Sequence, residues 1–416
     1  MDNSKTEDLN FLLQYIKEQI DKLPITQSKK DKMLEKLLMV HQMTIDAREP
    51  RIALVGRRGS GKSSLINALY GSEKQYVSSI KSGTGRGKWL WFPSEDDKKI
   101  RLLDSRGLGE SEKPTEEFNE SNPMDEMKRT VSEELPDVFL FLIKAKETDA
   151  RIEEDLNELK DLREYVKDEF NYDVPVICVV TQVDEVDPPH YKQVPLDKNV
   201  KKAKNIQDAV VLMEKRFEEH EIPLLSTIPV CSYIDFDEDG NIDYDMRWNI
   251  DRLANYLIES LPNEAKLKAA KATRVISVKK KFALSIVGII ASISGGIGTQ
   301  PIPVADLPFI TALQGLMVVI IAFIAGKEIN TKIAAEFIAA LGINIGVAFL
   351  VREGVRAAVK FIPGGGNIVS GTVAGGVTFG LGLAAIAYFI EEEDIETSKE
   401  LLKKGKRKYN EDNSAE

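Results

Sequence analysis

The sequence predicts an α/β domain with a mostly parallel six-stranded sheet and helices on both faces, flanked by an N-terminal helical segment and a C-terminal all-α hydrophobic domain. Three observations carry this. Between Arg51 and Pro262, short apolar runs alternate with longer amphipathic stretches, the pattern of crossover units that build a parallel sheet. Before Arg51, apolar residues recur at helical spacing. After Lys281, charged residues vanish over long stretches rich in Gly, Ala and Ile. The 416 residues suffice for two or three domains. Boundaries are expected at 1–50 for a helical lead-in, 51–262 for the α/β domain, 263–281 for a basic linker helix and 282–416 for the hydrophobic glycine-rich helical domain with its charged tail.

In the lead-in, Leu9, Leu12, Leu13 and Ile16 mark one helix; Met33, Leu34, Leu37 and Leu38 mark a second after the break at Pro24. The strands are expected at Ile52–Val55, Trp89–Phe92, Ile100–Leu103, Val138–Ile143, Val174–Val180 and Ile228–Cys231, and the helices at 62–70, 148–169, 200–219 and 250–260. The linker 263–281 has no Pro or Gly, so it reads as one continuous basic helix.

Composition excludes several functions. With Lys+Arg 56 against Asp+Glu 66 the net charge is -10, which gives no basic footprint for a nucleic-acid partner. Cys178 and Cys231 lie far apart inside apolar runs, as reduced core thiols do, and His41, His190 and His220 have no metal-ligand spacing. The start, MDNSKTEDLN, lacks the basic and apolar regions of a secretory signal, so a cytoplasmic location is expected.

The chemistry begins at GRRGSGKSS, residues 56 to 64, directly after the first strand. Gly56, Gly61, Lys62 and Ser63 satisfy GxxxxGK[ST] in the strand–turn–helix context that the motif needs. Small residues let the backbone amides of Gly59, Ser60, Gly61 and Ser64 approach phosphates closely. Lys62 would neutralise the β- and γ-phosphates and the Ser63 hydroxyl would ligate Mg²⁺. Further along, the third strand ends in DSRG, where Asp104 is suited to hold the metal through water and Gly107 to offer an N–H to the γ-phosphate. The fifth strand ends in TQVD, residues Thr181, Gln182, Val183 and Asp184. A carboxylate at Asp184 accepts both N–H donors of a guanine edge, which adenine does not present. Ser232, after the sixth strand, would meet the base from the other side. All these signals sit at strand carboxyl ends, where doubly wound sheets bind ligands.

These motifs, in this order, resemble Era-like P-loop GTPases and are similar also to the immunity-related GTPases. The resemblance covers about residues 51–262 and implies a G domain that binds GTP and GDP with Mg²⁺ and hydrolyses GTP. It implies that Thr84, in SGTGRGKW, completes the metal shell, with Ser82 nearby. Three departures qualify it. Gln182 stands where the family has Lys, which weakens affinity or relaxes base discrimination. Leu108 follows DSRG where Ras-like proteins carry a water-orienting Gln, and Gly59 replaces the Asn that some relatives use with a monovalent cation. Arg57 and Arg58 lie within the loop itself, either as an internal arginine finger or facing solvent or a partner G domain. Arg86 and Arg106 are weaker candidates of that kind.

In the tail, charge-free stretches run for 24 residues from Phe282, 20 from Leu307 and 30 from Phe361, against the roughly 20 that a spanning helix needs. Gly371 with Gly375, and Gly376 with Gly380, have GxxxG spacing. Basic flanks on both sides favour an even number of crossings. The segment resembles a bacterial hydrophobic domain of unknown function found behind Era-like G domains. A lipid surface is thus an expected partner, with a membrane-associated and even multi-pass inner-membrane location; the competing expectation is a bundle whose buried helices are apolar all round. Together these features imply a Mg-dependent GTPase whose nucleotide state is coupled to the helical domain, slow unless paired as a G-domain homodimer or stimulated. The alternative is a nucleotide-binding scaffold with negligible hydrolysis; an ATPase is disfavoured by Asp184.

Overall fold

The computed structural model describes residues 3–70, 88–93, 98–104, 123–148, 152–191, 200–237, 242–296, 307–329, 331–342 and 371–412. The chain divides into two compact units, one formed by Arg48–Val275 and the other by Met1–Ala47 together with Ile276–Glu416.

The first unit contains β1 (Arg51–Val55), α3 (Lys62–Tyr70), β2 (Lys88–Pro93), β3 (Lys98–Asp104), α4 (Pro123–Glu133), β4 (Val138–Lys144), α5 (Glu153–Phe170), β5 (Val176–Thr181), α6 (Val200–Glu219), β6 (Ser226–Pro229), the hairpin β7 (Ile234–Phe236) and β8 (Ile242–Asp245), α7 (Ile250–Ser260) and α8 (Asn263–Ala272). The labels α1 and α2 belong to Asn3–Lys22 and Gln27–Thr44 of the other unit. The six-stranded sheet has the order β2-β3-β1-β4-β5-β6, with β2 antiparallel to β3 and every other pair parallel. This is the expected α/β class. Strand alternation splits β1: Ala53 and Val55 join the core formed with Phe139, Phe141, Leu156, Leu159 and Met213, while Ile52 and Leu54 turn to the opposite face. Central strands buried on both sides read as unbroken apolar runs, which is why VFLFLIK and VICVVT were easy to place.

Differences from the sequence expectation are local. The helix α4 was not expected, because PMDEMKRTVSE buries only Met127, Val131 and Thr130 and so shows a thin apolar stripe. The last sheet strand is Ser226–Pro229, displaced from Ile228–Cys231; Cys231 instead pairs with Trp248 in an isolated antiparallel bridge. The continuous linker helix is corrected: α8 stops at Ala272, and Thr273 is extended, its Oγ1 donating to Leu69 O at 3.1 Å and accepting from the Val275 amide at 3.2 Å. A side chain that bonds its own neighbouring backbone competes with the helical ladder.

The second unit joins α1 and α2 to α9 (Ile276–Gly296), α10 (Leu307–Ile324), α11 (Thr331–Ala340), α12 (Gly371–Phe389) and α13 (Ile395–Asp412). Leu12, Leu13, Ile16 and Ile20 of α1 and Ile286, Val287 and Ile290 of α9 are buried, and Lys36 of α2 donates to Ser292 of α9 at 2.7 Å. Glycines set the closest approaches. A Cβ at Gly380 would stand 2.4 Å from Leu402 O, one at Gly375 2.7 Å from Tyr409 Oη and one at Gly382 2.4 Å from Val287. Gly375 and Gly380 of α12 thus meet α13, and Gly382 meets α9.

The expectation of a multi-pass inner-membrane location is corrected. Among the described residues no helix is long and apolar enough to cross a membrane. Asp306 and the Arg352 to Lys360 cluster lie outside the described residues.

Candidate functional site

The loop between β1 and α3 is shaped by three glycines with positive φ: Gly56 at 149°, Gly59 at 78° and Gly61 at 89°. At Gly56 a Cβ would meet Leu142 O at 2.4 Å, so no other residue lets the loop lie this close to β4. The Lys62 ammonium donates back over the loop to Gly56 O at 2.5 Å and to Arg57 O at 3.2 Å. The α3 ladder begins with Leu65 N to Gly61 O at 2.9 Å, which leaves the amides of its first turn outside the helical ladder, the arrangement that favours anions. Ser63 is half-buried in that turn and Ser64 is exposed. Ser60 is 3% exposed, and its Oγ has no hydrogen-bond partner among the described residues.

The β5 end is fastened to this loop. Thr181 Oγ1 donates to Ser60 O at 2.8 Å and reaches Ile143 O at 3.2 Å, and Gln182 Nε2 donates to Gly59 O at 3.0 Å. Gln182 takes the left-handed conformation, φ 56°, where the strand turns into the short helical turn Val183–Glu185. Behind Asp184, the fully buried Lys202 of α6 donates to Asp184 O and Tyr191 O. Ser232 is 9% exposed just past Cys231, in the segment after β6. Asp104 ends β3 in register with Leu54, two residues before Gly56. The structure therefore brings Gly56 to Ser64, Asp104, Thr181 to Asp184 and Ser232 to one end of the sheet. Thr84, Gly107, Leu108, Arg86 and Arg106 lie outside the described residues.

The two loop arginines part company. Arg57 Nε donates to Asp155 Oδ2 of α5 at 2.8 Å, and Arg58 is exposed. Asp155 is buried, and that burial holds its carboxyl above the usual range although Arg57 pulls it down. Residue spacing could not disclose Asp155 or Lys202: the partners are 98 and 18 residues away along the chain, and Lys202 is one of several lysines in VKKAK.

For a divalent cation, the described donor in the first turn of α3 is the Ser63 hydroxyl. A hard oxygen donor beside an anion-favouring helix end fits Mg²⁺ and does not fit a soft metal.

Residues 51–182 match the family described as 50S ribosome-binding GTPase. GTPase Era of Lactobacillus delbrueckii subsp. bulgaricus is 31% identical over 137 residues, 33% of this chain and 40% of Era. The chain thus spans about two fifths of the length of the Era proteins it matches. The probable GTP-binding protein EngB of Streptococcus pyogenes serotype M3 is 33% identical over 156 residues, 38% of this chain and 71% of EngB. A solved GTP-binding protein from Sulfolobus solfataricus in complex with GDP shows 15% identity, covering 62% of this chain and 66% of that one, with a TM-score of 0.26, too low to bear on the fold. With that coverage of EngB beside the glycine cradle on β1, the chain belongs to the P-loop GTPase family that includes Era, Der and EngB.

Proposed function

We propose that this protein binds GTP with Mg²⁺ and hydrolyses it slowly to GDP and phosphate, and that its nucleotide state is passed to the helical unit. The observation that carries the reading is the pair of hydrogen bonds from Thr181 to Ser60 O and from Gln182 to Gly59 O. They tie the phosphate loop to the base loop, so phosphates and base are read together.

In this reading the amides of Gly59 to Ser64 bind the phosphates, and Lys62 leaves its loop carbonyls for the β- and γ-phosphates. Asp184 accepts from the guanine edge and Ser232 lies alongside the base. Ser63, Asp104 and Thr84 would hold Mg²⁺, which supplies neutralisation of phosphate charge when bound. Gly107 would donate to the γ-phosphate. Arg57, held by Asp155, is a buttress of the loop in this arrangement, which supports slow intrinsic turnover; Arg58 is free of such an assignment and is the arginine suited to a paired G domain.

Coupling has a mechanical basis. The far end of α3 is tied at Leu69 O to Thr273 Oγ1 and to the Arg274 amide, both at 3.1 Å, where the chain leaves the G domain. A displacement of α3 by the phosphates is thereby delivered to the residues that lead into α9.

Phosphate release from GTP in the full chain tests the activity, run with and without Mg²⁺ and against protein concentration. Mg-dependent turnover is expected, with specific activity rising with concentration if G domains pair. Tight GTP binding without turnover would contradict hydrolysis and leave a binding module.

A further inference from the structure

The segment after β5 is held from behind by the start of α6. Lys202 is 0% exposed, and its ammonium donates to two backbone carbonyls, Asp184 O and Tyr191 O. One side chain thus clips both ends of the Asp184–Tyr191 loop. Three residues on, Asn205 Nδ2 donates to Asp187 O at 3.0 Å, so the same helical turn grips the loop's middle. Cys231, fully buried, lies near Asp184 from the β6 side; burial above all, with the Asp184 carboxylate adding to it, pushes its thiol up to about 12.

A buried ammonium is costly unless every donor finds an acceptor, and a cheaper apolar residue would fill the space. Packing alone therefore does not account for a lysine here. Its hydrogen bonds determine where the backbone of Asp184 stands, and through it where the carboxylate points.

We propose that Lys202 is a specificity-determining positioning residue: it fixes the Asp184–Tyr191 loop so that the Asp184 carboxylate is pre-set for a base that offers two adjacent N–H donors. The proposal rests on the reading of Asp184 as the base-recognising group. A carboxylate held to within tenths of an ångström discriminates by leaving its lone pairs unsatisfied against the wrong edge, whereas a loose one turns to water. Loosening the clip lowers affinity for guanine nucleotides and leaves adenine nucleotides, held by phosphate contacts alone, as they were.

The test is competition of GTP, GDP and ATP against a fluorescent GDP analogue in the full chain, with Lys202→Met and Asn205→Ala. Lys202→Met is expected to weaken GTP and GDP by about tenfold, or about 1.4 kcal/mol, with ATP unchanged. Its kcat at saturating GTP should stay within about twofold, since the transition-state contacts are elsewhere. Amide exchange should accelerate in 183–191 and not in 56–64. Asn205→Ala, at an exposed bond, should move the same way by about two- to threefold, as the loss of one surface hydrogen bond does. If the wild type prefers GTP and Lys202→Met keeps that preference while only its melting temperature falls, Lys202 is structural and the proposal is overturned with the Asp184 reading intact. If Lys202→Met does not fold, wild-type preference in Asn205→Ala overturns it. If the wild type itself does not distinguish GTP from ATP, the Asp184 reading fails and the proposal with it.

Discussion

Thr181 Oγ1 donates to Ser60 O at 2.8 Å, so the end of β5 is bonded to the middle of the glycine loop that follows β1, 121 residues earlier in the chain. Thr181 is 1% exposed, and that bond is buried. Thr181→Val keeps the shape and leaves Ser60 O without this donor. An unsatisfied buried carbonyl costs about 1–3 kcal/mol, so the G domain should melt several degrees lower and bind GDP more weakly. Thermal unfolding with and without GDP measures both.

Lys62→Ala and Ser63→Ala should each abolish tight Mg·GTP binding while the far-ultraviolet circular dichroism stays that of the wild type. Both residues lie in the first turn of α3, outside the core. Wild-type affinity in either variant would refute the phosphate role of the loop.

Gly56→Ala should destabilise the G domain, because the backbone at φ 149° resists a side chain and the new Cβ would press on Leu142 O. The strain is about 1–3 kcal/mol, and GDP protection in denaturant should disappear. Gly288→Ala is the control: it lies in the interior of α9 with nothing within 4 Å of the new Cβ. It should gain roughly 0.5–1 kcal/mol from helix propensity.

Glu158, one turn from Asp155 on α5, should make stability fall as pH rises toward neutrality. Burial first, then the charges of Asp155 and Glu154, push its carboxyl up from 4.5 to about 7. Between those values the folded chain holds a proton that the unfolded chain has lost, so the stabilisation is full below 4.5 and is lost as pH rises through 7. Glu158→Gln carries the neutral shape at every pH. Its melting temperature relative to the wild type should therefore improve from pH 5 to pH 8; an unchanged difference would show that Glu158 titrates normally.

What the sequence disclosed, and what it did not, follows from the range of the interactions. The glycine loop was legible because its geometry is dictated by contiguous residues, with Gly56, Gly59 and Gly61 at positive φ. The sheet was legible because β1, β4 and β5 are buried on both faces. The Arg57–Asp155 pair and the Lys202 clip were not, since charged residues declare no partner until the fold brings them together. The tail misled through composition. Glycines such as Gly375 and Gly380 suggest helix contact in lipid and serve as well to seat α12 against α13. That α1 and α2 join these helices, across the whole G domain, is a contact of the longest range.

The central claim is that Asp184 reads a guanine held on this loop. It is tested most directly by competing GTP, ATP and xanthosine triphosphate for the wild-type chain and for Asp184→Asn. The account predicts that the wild type prefers GTP and that Asp184→Asn turns to xanthosine triphosphate, whose altered edge offers an acceptor to the amide, with a change of about tenfold or more for the bidentate pair lost. A wild type that binds ATP better than GTP, or a variant with unaltered preference, would contradict it.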